Sequence, residues 1–243
     1  MRAKLFRVTL AAVVCAATLA GCGVARMGSI QGSGVPMTDE RDVAGFTRLN
    51  TDGFGDVIVR LGEGEFVTIE GDDNIVPDVE TIVRGDALHI GFKRGNYDPE
   101  LPLLITVGAT ELSGFDVSGA VDLEAPTLRG LSLDITVSGA ASAVIYEVDV
   151  TELDVGVSGA ADCVISGGRV DVLSVSASGA GTLDAGNVTV RAADVSASGA
   201  GDVWIFVSEE LDATASGAGT VLYRGEPSVR KRTSGAGSVE RAE

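Results

Sequence analysis

The amino-acid sequence predicts an all-β chain wound as a parallel β-solenoid with coils of about 20 residues. Three observations predict it. The tripeptide Ser-Gly-Ala occurs seven times, with its serine at Ser118, Ser138, Ser158, Ser178, Ser198, Ser216 and Ser234, at spacings of 20, 20, 20, 20, 18 and 18. Around each copy, apolar residues alternate with polar ones, the period of a strand with one buried face. Helical spacing is absent, and the 33 glycines are far too frequent for helix interiors.

The chain opens with Arg2, Lys4 and Arg7, runs apolar from Val8 to Ala20 and reaches Leu19-Ala20-Gly21-Cys22. A basic start, a short apolar run and a small-residue cleavage site read as an export signal over residues 1–21. The run is shorter than the roughly 20 apolar residues of a spanning helix, and it gives way at once to Gly23, Gly28, Ser29 and Gly32. The tetrapeptide resembles the lipobox of bacterial lipoproteins, and that resemblance implies that Cys22 receives a diacylglycerol and becomes the new N-terminus. Each buried lipid CH₂ contributes about 0.8 kcal/mol, so several acyl chains hold a protein stably at a membrane surface. Residues 22–41, rich in Gly, Ser and Met and without a periodic pattern, read as a flexible tether.

Residues 42–240 form the solenoid. A weaker copy of the repeat stands at Asp52-Gly53-Phe54-Gly55-Asp56-Val57, with Leu49 and Thr51 on the strand before it. Strand-like runs follow at Phe66 to Glu70, Val79 to Arg84, Ala87 to Phe92 and Leu103 to Val107. They read as irregular first coils, with a loop from Lys93 to Pro102. From Ser118 onward the columns are regular. Five residues after each serine stand Leu123, Ala143, Cys163, Leu183, Val203, Val221 and Val239; three before it stand Phe115, Ile135, Val155, Val175, Val195 and Ala213. Both columns face a core. Each coil is thus a strand, a Ser-Gly-Ala corner, a second short strand and a polar return loop. The corner glycine answers a bend that needs positive φ or close backbone approach, and the alanines from Ala120 to Ala236 keep the cross-section narrow. Where the period falls from 20 to 18, the two residues vanish between Ile205 and Leu211. Arg230, Lys231 and Arg232 then replace the apolar pattern, as a terminal rung requires. The exposed edges of such a stack also permit association between solenoid ends.

Without the three basic residues of the leader, 15 basic residues face 35 acidic ones, a formal charge near −20. Such a surface repels nucleic acid and anionic headgroups. The chain is not a disordered acidic tail, because 45% of its residues are apolar and regularly placed. Cys15 lies in the leader and Cys22 is the lipid site, so Cys163 is left without a partner for an internal disulfide. One His89 and one Cys163 exclude the familiar His/Cys zinc clusters, and no metal ligands or cofactor are expected.

The run Phe46 to Val57, the segment Val67-Thr68-Ile69-Glu70 with Asp72-Asp73-Asn74, and the Ser-Gly-Ala-Gly-Asp-Val repeat together resemble the autotransporter-adhesin head domain, or GIN domain, over about residues 42–240. That resemblance implies a right-handed parallel β-helix in a bacterial cell-envelope protein, and it brings no functional residues with it. Several coils here read Ser-Gly-Ala-Ala or Ser-Gly-Ala-Val, a departure that weakens any functional need for the second glycine.

The best array for chemistry lies four residues after each serine: Asp122, Ser142, Asp162, Thr182, Asp202, Thr220 and Ser238. Its aspartates stand on alternate rungs, about 9–10 Å apart. Calcium ligands sit at about 2.3–2.6 Å from the ion, so the column does not hold one. An inverting glycosidase accepts carboxyl separations of roughly 6.5–9.5 Å, yet the surrounding Ser, Gly and Ala supply no groove and no sugar contacts, and the aspartates read as solvated edge residues. His89 lies in Leu88-His89-Ile90 with no nucleophile elbow nearby. Gly53-Phe54-Gly55 lacks the strand-to-helix setting of a phosphate loop. Trp204 and Phe206 read as edge packing or as a patch for sugar or protein. The expectation is a periplasmic or cell-surface lipoprotein, held at a membrane through Cys22 and acting as a non-catalytic, adhesin-like binding or structural module for envelope polysaccharide or protein. A β-helical carbohydrate-active enzyme is the alternative.

Overall fold

The computed structural model describes residues 28–242; the expected leader and the expected lipid site Cys22 lie outside them. The strands, in chain order, are β1 (Ser29–Gln31), β2 (Pro36–Asp42), β3 (Arg48–Leu61), β4 (Phe66–Asp72), β5 (Val79–Arg84), β6 (Ala87–Phe92), β7 (Asn96–Asp98) and β8 (Leu104–Ala109). They continue as β9 (Gly114–Val137), β10 (Ser142–Val157), β11 (Asp162–Ile165), β12 (Gly168–Ala177), β13 (Thr182–Ala197), β14 (Asp202–Ala215), β15 (Thr220–Arg224), β16 (Ser228–Thr233) and β17 (Ser238–Arg241). Among the described residues the only helical element is the 3-10 turn Val76–Asp78.

The parallel β-solenoid is present, with coils of about 20 residues. From β9 to β17 every pairing is parallel, and the register is continuous except between β13 and β14. Leu123, Ala143, Cys163, Leu183, Val203, Val221 and Val239 lie one above another, and all are buried. The column from Phe115 to Ala213 is buried in the same way. Inward alternation is interrupted at three places per coil by adjacent outward residues; in one coil these are the corner Gly139-Ala140, then Tyr146-Glu147, then Thr151-Glu152. Each coil is therefore three-sided, and apolar burial of about 1.5–3 kcal/mol per large side chain holds coil to coil.

At the corners both reasons for glycine apply together. Gly119, Gly139, Gly159, Gly179, Gly199, Gly217 and Gly235 have φ between +72° and +83°. A Cβ on any of them would lie 2.3–2.8 Å from the carbonyl oxygen of the glycine in the coil beneath. The next residue's N–H donates to that same carbonyl, at 2.7–2.8 Å from Ala140 to Ala236. The corner alanines do not narrow the core, however. Ala120, Ala140, Ala160, Ala180, Ala200, Ala218 and Ala236 are exposed, because the left-handed glycine turns the chain so that the following residue, Val121, Ala141, Ala161, Gly181, Gly201 or Gly219, enters the interior instead.

The change of period is a two-part register shift. Ala185 pairs with Ile205 and Thr189 with Phe206, so Gly186 to Val188 have no counterpart; one residue is regained between Val190 and Ala192. Both shifts fall between Ile205 and Leu211.

At the N-terminal end, stack order and chain order part company. The weak copy is a true rung: Asp52, Gly53, Phe54, Gly55, Asp56 and Val57 lie in register with Ser118 to Leu123. The intervening segments do not sit between the two as successive coils. β6 and β8 pair with β3 on its other side, and antiparallel strands then close the end, β4 on β8, β2 on β4 and β5 on β6. The chain therefore drops below its first rung before climbing above it. The loop from Lys93 to Pro102 contains β7, which pairs with β1.

The described part of the expected tether is folded. β2 lies along β4, and Arg41 donates from Nη1 to Val79 O at 2.6 Å and from Nη2 to Val76 O at 3.2 Å. The Asp72-Asp73-Asn74 segment grips residues 31–34. Gly34 N–H donates to Asp72 Oδ1 at 2.7 Å, Ser33 Oγ to Asp73 Oδ1 at 2.6 Å and Asn74 Nδ2 to Gln31 O at 2.7 Å. Side chains distant in sequence supply this order, so no local periodicity announces it.

Candidate functional site

The side that follows each corner presents two outward columns. The first is Asp56, Asp122, Ser142, Asp162, Thr182, Asp202, Thr220 and Ser238, all in register. From Asp122 to Asp202 the aspartates occupy alternate rungs, about 9–10 Å apart. Asp56 extends the column and lies a single rung from Asp122. Among the described residues no group of three or more His, Cys, Asp or Glu side chains could hold a metal ion.

The second column, two residues further along each strand, reads Ile58, Glu124, Val144, Val164, Asp184, Trp204, Leu222 and Glu240. Two apolar pairs, Val144–Val164 and Trp204–Leu222, are separated by Asp184. Tyr146 borders the first pair, 55% exposed. Its hydroxyl donates to Glu124 Oε2 at 3.2 Å, and that hydrogen bond, with the carboxylate's charge, raises the phenol's pKa.

Trp204 is 46% exposed. It lies where the period changes, so the three residues Gly186 to Val188 of the coil below overhang the shorter coil. Overhang and indole enclose a pocket of about 290 Å³ lined by Asp184, Gly186, Asn187, Trp204, Ile205, Leu222, Arg224 and Ala242. The overhang is braced: Gly186 N–H donates to Asp184 Oδ1 at 3.0 Å, and Arg224 Nη2 donates to Gly186 O and, at 3.5 Å, to Asn187 Oδ1. Phe206, half-buried and in register with Arg224, is outside the lining. Sequence reasoning singled out Trp204 but missed Asn187 and Arg224; the deletion of two residues from the repeat marked their neighbourhood.

His89 lines a different cleft of about 350 Å³, with Asp52, Glu80, Arg84, Asp116 and Ser118 also on its walls. The fold thus brings a His, a Ser and carboxylates to one place that the sequence reading did not foresee. They do not form a relay. Ser118 Oγ donates to Thr51 O at 3.0 Å, with Asp52 Oδ1 at 3.3 Å the alternative acceptor for the same proton, a structural use of the repeat serine. Beside this cleft Phe54, which occupies the corner column in register with Ala120, stacks on Phe92 with ring centroids 4.5 Å apart, and Tyr97 completes an aromatic trio. Cys163 is fully buried, and desolvation pushes its pKa up to about 12, so its thiol is inert at neutral pH.

A solenoid that presents ordered outward columns on one flat side is the class that fold and face define. The chain belongs to the family described as "Putative auto-transporter adhesin, head GIN domain", whose model matches residues 45–227. Solved structures share the fold. A putative adhesin from Bacteroides fragilis is 24% identical with a TM-score of 0.82, covering 88% of this chain and 100% of that one. A putative adhesin from Parabacteroides merdae is 20% identical with a TM-score of 0.69, covering 89% and 100%. A putative lipid binding protein from Parabacteroides distasonis is 20% identical with a TM-score of 0.69, covering 88% and 100%. The chain matches no curated protein in sequence.

Proposed function

We propose that this chain is a cell-envelope lipoprotein whose solenoid is a non-catalytic, adhesin-like binding module for envelope polymers. The observation that carries this reading is the in-register outward side of β9 to β15, a flat repetitive surface of Asp, Ser and Thr interrupted by apolar pairs, in a chain of the adhesin-head family. Repetition at rung spacing lets one extended polymer make several weak contacts at once, and affinity grows through effective concentration. The strong negative charge directs the module away from nucleic acid.

The anchor in this reading is lipidated Cys22. The first strand begins at Ser29, so the chain between them reaches at most about 25 Å when fully extended. β2 and β17 are opposite ends of the sheet path, and the N-terminal segment is clasped beside β4. The β2 end would then face the membrane and the β17 end would project outward, placing the module on the periplasmic or external side of a membrane.

Two measurements test the proposal. Purified mature protein is incubated with insoluble cell-wall material; retention without new reducing or unsaturated ends is expected. Release of such ends, lost in Asp162→Ala or Asp202→Ala, would establish the β-helical carbohydrate-active enzyme instead. Cys22→Ala is expected to leave export intact and to free the protein from membranes, and membrane retention of that variant without lipid label would remove the anchor.

A further inference from the structure

We infer that the pocket at the change of coil period is a saccharide subsite, which binds one neutral pyranose unit of a glycan against the face of Trp204. The inference rests on the binding-module reading above and names its ligand class. Three features converge on it. Small-ligand sites combine an apolar wall with a few placed polar groups; here the wall is a half-exposed indole beside Leu222, and the polar groups are Asp184, Asn187 and Arg224. The volume of about 290 Å³ suits a single ring rather than an extended peptide. The polar groups are also held in place before any ligand arrives, because Asp184 and Arg224 both brace Gly186 in the overhang.

The chemistry selects the sugar. A pyranose offers a C–H face to a flat aromatic ring and a rim of hydroxyls that both donate and accept. Asp184 uses Oδ1 on Gly186 N–H, so Oδ2 is the acceptor for a hydroxyl. Arg224 uses Nη2 on the overhang, so its other N–H groups are the donors. A uronic acid or sulfated sugar would meet Asp184 together with Asp202, which stands two residues before Trp204 on the same outward side, and is disfavoured. A quaternary ammonium would meet Arg224. In the anchored arrangement the pocket spans the rungs of β13, β14 and β15 and reaches Ala242 just beyond β17, near the outward end, where a polymer outside the membrane has access.

The chain contains one tryptophan, so its fluorescence reports this pocket alone. Mature protein is titrated with chitotetraose, cellotetraose, polygalacturonate and tetramethylammonium while Trp204 emission is followed, and binding is measured in parallel by calorimetry. A neutral tetrasaccharide is expected to shift the emission with saturation. Trp204→Ala should weaken that binding at least tenfold with an unchanged circular dichroism spectrum, and Arg224→Lys should weaken it several-fold. If cell-wall material is retained equally by wild type and Trp204→Ala, and neutral sugars leave the emission unmoved, the subsite is wrong while the module stands. If cell-wall material is not retained by the wild type, the module itself fails. Response to tetramethylammonium or polygalacturonate alone would overturn the assignment to a neutral sugar.

Discussion

The two ends of this solenoid finish an open β-stack by different means. Below β3, the chain closes the stack with antiparallel strands locked by individual side chains, chiefly Arg41 and Asp72. At the other end, β16 lies on β14 and β17 on β15 without any antiparallel cap among the described residues, and β16 carries Arg230, Lys231 and Arg232 where β14 carries Asp212, Ala213 and Thr214. Between them, one tripeptide sets the same corner of each successive coil. The repeat delegates structure to backbone geometry that seven copies share, whereas the N-terminal cap depends on contacts that each occur once. Damage to a corner should therefore propagate through coil stacking, and damage to the cap should remain local.

The sharpest way to break this contrast is a methyl group at a corner. Gly159→Ala combines φ of +78° with a Cβ placed 2.6 Å from Gly139 O. Left-handed backbone costs about 1–2 kcal/mol, and overpacking adds about 1–3 kcal/mol. A loss of about 2–5 kcal/mol is expected in urea denaturation. Gly62 in the N-terminal region has nearly the same φ, +82°, and nothing within 4 Å of a built Cβ. Gly62→Ala should cost only the conformational share, about 1–2 kcal/mol. Equal losses at the two sites would show that stacking distance adds nothing to the corner's demand for glycine.

The cap is tested through Asp72, which is buried. Burial raises its pKa, but N–H donors from Leu101, Gly34 and Glu100 outweigh it, and the carboxyl titrates below its usual value near 3.8. A carboxylate depressed on folding contributes stability that is present above the unfolded value and lost as pH falls through the folded one. Hydrogen exchange should therefore accelerate in β1, β2 and residues 100–101 below about pH 4 while β10 to β14 stay protected. Asp72→Asn should produce the same local opening at neutral pH. Loss of protection throughout the solenoid would mean that the cap is the keystone of the whole stack.

This division also explains what was legible in advance. Ser118 to Ala215 could be read column by column, because each residue's surroundings are copies of itself one coil away, and periodicity makes those copies visible. The cap could not be read so: β6 and β8 reach β3 from the side opposite β9, and nothing in a linear pattern distinguishes under from over. The corner alanines were placed on the wrong side because alternation alone does not say on which residue a left-handed glycine reverses direction. At the pocket, Trp204 stood out by residue type, but Asn187 became its neighbour only through the register shift between Ala185 and Thr189. The expected leader and lipid site at Cys22 rest on sequence alone and lie outside the described residues.

A smaller effect is expected where the two regions meet. Thr51 occupies the column held above it by Val117, Val137 and Val157, and it is 3% exposed. Among the described residues its Oγ1 is the one buried side-chain polar atom without a hydrogen-bond partner. An unsatisfied buried hydroxyl costs about 1–3 kcal/mol. Thr51→Val should thus stabilise the protein by about 1 kcal/mol, raising Tm by about 2–4 °C. A lower Tm would show that the first rung needs the hydroxyl for a reason other than packing.

The least change in folding stability, and the most in assembly, is expected at the opposite end. Lys231 stands in register with Ala213, in the column of Phe115, Ile135, Val155, Val175 and Val195, yet it is exposed because no described strand lies over β16. A charge in an inward position at the end of a sheet opposes the addition of another strand. Its neighbours have partners on the preceding rung: Arg232 reaches Asp212 at 2.8 Å and Arg230 reaches Glu210 at 3.3 Å. Lys231 is thus the charge that a second solenoid end would have to desolvate on contact. Lys231→Val should shift folding stability by no more than about 0.5 kcal/mol, as for exposed positions generally. Sedimentation velocity should nevertheless show concentration-dependent association that the wild type lacks. If the variant stays monomeric across the same range, the polar rim of Arg230, Arg232 and Thr233 suffices to end the stack, and the inward lysine is an ordinary surface residue.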